Sequence, residues 1–356
     1  MQSLDEKEWG VFKLEDEFEC AKGIYLPTGD VTDGDDPFIT AKSGNNGLTR
    51  FIGNGTLFGG NRITIEKIRL SAYYQSAPFY CSHDVSVINN NNLDANNSQF
   101  IAEMIMRNGS KYSYGRQAQL NVVKRERIML PVTDSGEPDY AYMAEYAQQK
   151  RDTMLAKYRA YVEARIAELG KAVEIPALDE KEWKPFSIVD LFSSIIPGKG
   201  KGLNHLKKVC ADGVNYIGAT NRNNGVLCYV EEDTYSRSMI LEGNCIGFIK
   251  NGDGSAGFAI YKAEQFISTS DVLYGYADWL NKFTGLFFVV AQDKIEHKYS
   301  HGYKRNKEHL AGDKVMLPVT DSGEPDYEYM EQYSKNMMLR KYQQYLTFLQ
   351  QRSNTR

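Results

Sequence analysis

Fourteen residues, LPVTDSGEPDYAYM at Leu130 to Met143, return as LPVTDSGEPDYEYM at Leu317 to Met330 with a single difference. Composition cannot produce such a match, so the chain contains an internal duplication. A second pair supports this: LDEKEW stands at Leu4 to Trp9 and again at Leu178 to Trp183. The LPVT blocks are 187 positions apart and the LDEKEW blocks 174, so the second copy is 13 residues longer between two preserved ends. Any fold proposed for this chain must be one plan used twice.

Between these anchors the copies share a frame and diverge in detail. PFITAKSGNNGLTRFI (Pro37 to Ile52) lines up with NYIGATNRNNGVLCYV (Asn215 to Val230), and KYSYGRQAQLNVVKRERIMLPV (Lys111 to Val132) with KYSHGYKRNKEHLAGDKVMLPV (Lys298 to Val319). Gly and Asn set between β-branched and aromatic residues predict short strands and tight turns over residues 1–129, while polar Asn89 to Gln99 reads as a loop. After each LPVT block comes a turn. Glu137, Pro138 and Asp139 then suit a first helical turn, where proline loses nothing and carboxylates complement the helix dipole. The helix that follows carries Met143, Ala147, Met154, Tyr158, Tyr161 and Ile166 at three- and four-residue steps, and its twin Met330, Tyr333, Met337, Tyr345, Phe348 and Leu349. Each stripe opposes a charged face and needs a partner, which predicts two long helices packed against each other. Gly170 closes the first helix and Ala172 to Ala177 link into copy two.

Length and composition narrow the class. With 356 residues, 42% hydrophobic and 25% charged, the chain can bury a core in each of two modules. It has no run of about 18 apolar residues, so no membrane-spanning helix is expected. The acidic start, MQSLDEKEWG, is no secretory leader. Five cysteines without a CxxC pair point to reduced thiols and a cytoplasmic setting. Net charge is −4, so any nucleic-acid contact must rest on local patches.

Catalytic motifs are weak. Phe51 to Gly55 (FIGNG) fits a five-letter S-adenosylmethionine loop pattern, but no Pro-Pro follows and copy two reads YVEED there, so a turn between strands is the better reading. His297 and His301 stand four apart without the glutamate of HExxH, and no metal site or catalytic residue is assigned. What remains is basic, amide and aromatic side chains on glycine-rich loops, suited to phosphate contact and base-edge reading. In copy one these are Lys42, Asn45, Asn46, Arg50, Arg62, Lys111, Tyr112, Tyr114 and Arg116. In copy two they are Lys199, Lys201, Asn221, Arg222, Asn223, Asn224, Lys298, Tyr299, His301, Tyr303, Lys304, Arg305 and Lys307.

The repeated EW-x-x-F opening (Glu8 to Phe12, Glu182 to Phe186), the DLF at Asp190 to Phe192, the YSYG and YSHG segments and the doubled LPV-x-x-x-G-x-PD-x-x-YM block resemble the specificity subunits of type I and type IIB restriction–modification systems, over nearly the whole chain. Copy one departs from the pattern with LEDEF (Leu14 to Phe18) in place of DLF. The resemblance implies an α+β fold: two mixed, mainly β target recognition domains joined by two long antiparallel helices with an internal pseudo-twofold. The expected domains are residues 1–138 and 178–325, the spacer helices 139–170 and 326–356, and the linker 171–177. It implies a non-catalytic subunit that reads a bipartite, asymmetric target in double-stranded DNA. Met143, Met154, Tyr158, Tyr161, Met330, Met337, Tyr345 and Phe348 would serve the helix and partner interface. The partners would be two methyltransferase subunits, with a separate restriction subunit or a fused nuclease. S-adenosylmethionine and Mg2+, and ATP in a type I system, would lie on those partners, and none on this chain. The alternatives are a compact methyltransferase or nuclease, and a decoy that occupies methyltransferase subunits without touching DNA.

Overall fold

A computed structural model describes the chain apart from Met1, Lys201, Ala211, Asp253, His301, Thr355 and Arg356, and apart from the side chains of residues 352–354. It divides into two compact units, Met1–Arg159 and Ala160–Arg356.

The first unit runs β1 (Trp9–Lys13), α1 (Leu14–Glu17), β2 (Glu19–Lys22), β3 (Asp36–Ile39), β4 (Leu48–Ile52), β5 (Leu57–Phe58), β6 (Arg62–Glu66), β7 (Ala72–Gln75), β8 (Phe79–Cys81), β9 (Val85–Asn89), α2 (Asn97–Met106), α3 (Leu120–Arg125), β10 (Arg127–Pro131) and α4 (Tyr140–Leu169), whose last residues belong to the second unit. Its sheets are the pair β1-β10 and two four-stranded sheets ordered β2-β9-β6-β7 and β4-β3-β8-β5. Strand β3 pairs antiparallel with β4 and parallel with β8.

The second unit repeats the course: β11 (Trp183–Ser187), β12 (Ser194–Pro197), β13 (Lys208–Val209), β14 (Val214–Ile217), β15 (Val226–Val230), α5 (Thr234–Arg237), β16 (Cys245–Ile249), β17 (Ala259–Lys262), β18 (Phe266–Ser268), β19 (Val272–Tyr276), α6 (Lys282–Gln292), α7 (Lys307–Ala311), β20 (Lys314–Pro318) and α8 (Tyr327–Asn354). Its sheets are β11-β20, β12-β19-β16-β17 and β13-β15-β14-β18. The antiparallel and parallel pairings of β3 recur at β14, down to the bulge after the first residues of the hairpin. The copies differ at the edges. Copy two covers the outer side of β15 with β13, whereas copy one adds β5 beside β8 on the opposite side.

The register shows where the 13 extra residues went. The offset between matching residues is 174 at Trp9 and Trp183, 178 at Ile39 and Ile217, 183 at Ile63 and Ile246, and 187 at Ala72 and Ala259. The additions fall in the connections around the two four-stranded sheets and leave every shared strand in place.

The two near-identical motifs meet in each unit. Lys7 Nζ bonds Asp139 at 2.8 Å and Lys181 Nζ bonds Asp326 at 2.8 Å. Trp9 and Trp183 donate their indole N–H to Leu4 and Leu178 carbonyls, and stack on Phe100 and Phe287. Those rings meet Tyr146 and Tyr333 edge-on, while Tyr142 and Tyr329 donate back to the Gln2 and Pro176 carbonyls. The helices start one residue later than the Pro-based expectation. Asp139 and Asp326 act as N-caps, accepting from Tyr142 and Tyr329 amides at 2.9 Å, and Pro138 and Pro325 form bridges with Val132 and Val319 instead. Gly170, at φ +75°, ends α4 as expected. The LEDEF departure changes little: Leu14 and Ile188 are both buried, and their amides reach Glu126 and Asp313 carbonyls at 2.9 and 3.0 Å.

Two expectations need correction. The polar stretch Asn89 to Gln99 ends inside α2, and neither α2 nor α6 was expected. Met143 and Met330 are fully buried in the cores of their own units, so they anchor helix to unit and are closed to a partner subunit. Met154, by contrast, is 70% exposed on α4. Within the second unit the end of α4 does pack on α8: the Tyr161 ring meets that of Tyr342 edge-on at 6.3 Å and Val162 is buried.

Replacing Met330 by alanine should lower unfolding free energy by about 2–5 kcal/mol, whereas Met154→Ala should stay within about 0.5 kcal/mol. Denaturant melts of the two variants test this; equal losses would contradict the placement.

Candidate nucleic-acid interface

The hairpins β3–β4 and β14–β15 turn through matching Asn-Asn-Gly tips. Asn45, Asn46, Asn223 and Asn224 all take left-handed backbone, with φ between 48 and 54°. Asparagine tolerates this conformation because its short amide bonds locally. Asn45 and Asn223 donate to the Leu48 and Val226 carbonyls, and Asn46 and Asn224 donate to the Tyr74 and Tyr261 carbonyls on the neighbouring strand. These amides, expected to read adenine, build the tip and pin it to β7 or β17. The cations around them remain exposed: Lys42, whose Nζ lies 3.4 Å from the Leu48 carbonyl, Arg50 on the edge strand β4, and Arg222. Arg62 lies apart from this group, half-buried on β6.

The KYS segments form a second shared device. Tyr112 donates to Glu126, and Lys111 Nζ lies 2.9 Å from the same carboxylate. Tyr299 donates to Asp313 at 2.8 Å, and Lys298 stands at 3.4 Å. Reciprocal backbone bonds between Ser113 and Arg116, and between Ser300 and Tyr303, close the turn that follows. Tyr112 and Tyr299 are buried, so their role is to latch the turn onto the strand that leads to the long helix, and the lysines partner carboxylates. The reading of the two tyrosines as DNA contacts is corrected accordingly, while the lysines stay about half exposed beside those carboxylates.

Arg305 departs furthest from expectation. Its side chain is 0% exposed, with Nε and Nη2 at 2.8 Å from Asp313 and Nη1 donating to the Gly257 carbonyl and Gln292 Oε1 at 2.9 and 2.6 Å. A guanidinium held inside the protein cannot meet a phosphate. Sequence reasoning grouped it with Lys304 because both are cations in one run, and nothing local marks which one turns inward.

What the turns present outward is Tyr114, 82% exposed, with Arg116 over the Tyr112 ring at 6.0 Å, and in copy two Tyr303, stacked between Tyr299 and His309, with Lys304 and Lys307 exposed. Lys199 is exposed on the loop after β12, while Lys201 and His301 lie outside the described residues. His297 sits in a short 3-10 turn with Nδ1 at 3.0 Å from the Lys294 carbonyl. FIGNG joins β4 to β5, and Asn54 ties it to Asp30 and Thr32, a turn between strands.

A groove of about 580 Å3 lies between α6 and α8 of the second unit, lined by Trp183, Leu286, Val290, Met316, Met337 and Met338 among others. At the corresponding positions of the helices copy one carries Gln99, Glu103, Lys150 and Arg151. Tyr158, Tyr161 and Phe348 keep about half their surface exposed on the long helices, and Tyr345 is half-buried.

Two copies of one α+β unit, each ending in a long helix and presenting different basic and aromatic turns, are the plan of a sequence-reading subunit. The chain belongs to the type I restriction modification DNA specificity domain family, whose model matches residues 6–156 and again 180–346. It is a DNA specificity subunit of a restriction–modification system. The specificity subunit S.BcgI of a type II restriction enzyme from Heyndrickxia coagulans is 28% identical over 313 residues, 85% of each chain. The S subunit of the type I restriction–modification system of M. genitalium shares the fold, with a TM-score of 0.52 and 14% identity over 100% of this chain and 96% of that one.

Burial, and next the Glu126 carboxylate, push the Tyr112 hydroxyl up from 10 to about 12. A raised acid is favoured in its neutral form, so this contribution is intact below pH 10 and is lost between about pH 10 and 12. Alkaline titration should show wild type losing stability over that window more steeply than Tyr112→Phe; parallel curves would contradict the latch.

Proposed function

We propose that each unit reads one half of an asymmetric, two-part DNA target. Residues 1–138 and 178–325 serve as the recognition domains, helices 139–170 and 326–356 as the spacer that sets the gap, and 171–177 as the linker. The observation that carries the reading is one frame used twice with different outward turns: Tyr114 and Arg116 in copy one stand at the sequence positions of His301 and Tyr303 in copy two. Equal frames hold both units in the same relation to their helices, and unequal turns favour unequal half-sites. The chain carries no chemistry of its own in this reading. S-adenosylmethionine and Mg2+, with ATP in a type I system, act on the methyltransferase and restriction subunits, and the product is methylated adenine at N6.

The exposed Met154 and Tyr158 of α4 and the apolar groove beside α8 suit partner subunits. A methionine-lined surface adapts to a partner's shape, which supports recruitment through the helices. The surface cations Lys42, Arg50, Arg116, Lys199, Lys304 and Lys307 supply the phosphate contacts.

Co-expression of this chain with its methyltransferase and sequencing of host DNA for N6-methyladenine should give one interrupted motif that vanishes without this chain. Methylation that is absent, or the same without it, would favour a decoy. Lys304→Ala with Lys307→Ala should flatten the log–log salt dependence of DNA binding by about 0.9 per lost contact. An unchanged slope would assign both lysines to mere solvation.

Removing four residues from each long helix shortens it by about 6 Å, since each helical residue rises about 1.5 Å. At about 3.4 Å per base pair the gap in the motif should shrink by about two base pairs. A motif with its original gap would sink the ruler.

A further inference from the structure

The loop from β16 to β17 covers residues 250–258, four more than the 67–71 turn from β6 to β7 in copy one. Asp253 within it lies outside the described residues. One buried residue holds both ends of this loop. The Arg305 backbone N–H donates to the Lys250 carbonyl at 3.0 Å, and its Nη1 donates to the Gly257 carbonyl at 2.9 Å. Gln292 Oε1 accepts from the same Nη1, and the guanidinium lies over the Phe248 and Tyr299 rings at 5.1 and 5.4 Å. Gly257 is left-handed at φ +90°, and a Cβ there would come within 2.8 Å of the Glu296 carbonyl, so the contact admits only glycine. On its other side the loop meets the β14–β15 tip. Ser255 Oγ bonds Asn221 at 3.1 Å, and a Cβ on Gly252 would stand 2.2 Å from the Ala219 carbonyl.

Copy one shows that the rest of the frame needs no such cation. By the offset of 187, Ile105 stands at the place of Gln292 and Ala118 at that of Arg305, and both are buried and apolar. Glu126 keeps its Lys111 and Tyr112 partners there without an arginine. Asp313 likewise has Lys298 and Tyr299. The main-chain bond at the start of the loop is shared, since Ala118 N–H donates to the Lys67 carbonyl at 2.7 Å, so what copy two adds is the guanidinium's hold on Gly257 at the loop's end.

We propose that Arg305, together with Gln292, is a positioning residue for sequence readout. It holds loop 250–258 against the hairpin tip, where Ser255 is buried on Asn221, so that Asn251 joins Arg222 in a reading edge that copy one lacks. An amide and a guanidinium on one edge suit hydrogen bonding to base edges in the major groove. The proposal deepens the assignment of one half-site to each unit and rests on it.

The test uses the full chain with its methyltransferase partner and N6-methyladenine sequencing. The double variant Gln292→Ile, Arg305→Ala recreates the apolar pair of copy one and leaves Asp313 its lysine and tyrosine. Gly257→Ala displaces the loop with Gln292 and Arg305 themselves unchanged. Both should keep a two-part motif, with the half read by copy two relaxed at least tenfold at one or more positions and the other half unchanged. Retention of both halves at wild-type stringency in either variant overturns the proposal. So does equal relaxation of both halves, or a loss of all methylation by the double variant while Gly257→Ala reads normally. A wild-type chain that directs no two-part motif would instead remove the underlying assignment, and this proposal with it.

Discussion

The structure depends on a clasp made twice by the same side chains. Lys7 and Lys181 reach the carboxylates that cap the long helices, and those carboxylates also hold the first free amides of α4 and α8. Each charge thus has two jobs, closing the chain's entry strand onto its exit helix and satisfying a helix terminus that would otherwise be open. The indoles of Trp9 and Trp183 and the tyrosine pairs pack over the same joint. This explains why LDEKEW and LPVTDSGEPDY are the stretches the copies keep nearly unaltered. They are two halves of one contact, and a change in either half would leave a partly buried ion or ring without its complement.

Beyond the clasp the copies are free to differ, and they differ in connections. The shared strands keep their partners and their bulge while extra residues, in steps of four, five and four, enter around the two larger sheets of copy two. A sheet tolerates this because its ladder is set by strand residues, and a longer loop adds little closure entropy. The cost appears where a new loop has to be held. Copy one fills the space beneath its short turn with Ile105 and Ala118, and Glu66 accepts three amides of the turn itself. Copy two puts Gln292 and Arg305 there, a polar pair whose guanidinium reaches the Gly257 carbonyl at the end of the loop. A buried arginine is admissible here because Asp313, Gln292, Gly257 and two aromatic faces surround it.

How much of this was legible followed from how local each cause is. The duplication, the Asn-Asn-Gly hairpins and the Gly170 stop lie in contiguous residues, and each was readable. Helices α2 and α6 were missed although their starts are signalled: Asp94 accepts from the Asn96 and Asn97 amides, and Asn281 with Thr284 makes a capping box before an apolar run. Asparagine-rich sequence around the start of α2 obscured its periodicity. The inward turn of Arg305 could not have been read, because its reasons sit at Gly257, Gln292 and Asp313, far along the chain. Tyr112 and Tyr299 were misassigned for the same cause, since the carboxylates that claim them lie 14 residues further on.

These misassignments separate two kinds of cation that a sequence presents alike. Arg305 is matched to Asp313, so its positive charge is neutralised inside the fold and contributes little to an outer field. Lys304 and Lys307, in the same run, are exposed to water. The potential a DNA phosphate would feel comes from the second kind, which is why a chain of net charge −4 can still offer basic edges. The clasp makes that division stable. It fixes the frame through charges buried at the helix base, and leaves the distal turns to carry exposed charge and changeable side chains without a penalty in folding. A reading surface can then be altered in one copy, as the longer loop of copy two shows, while the joint that transmits its position to the helix stays the same.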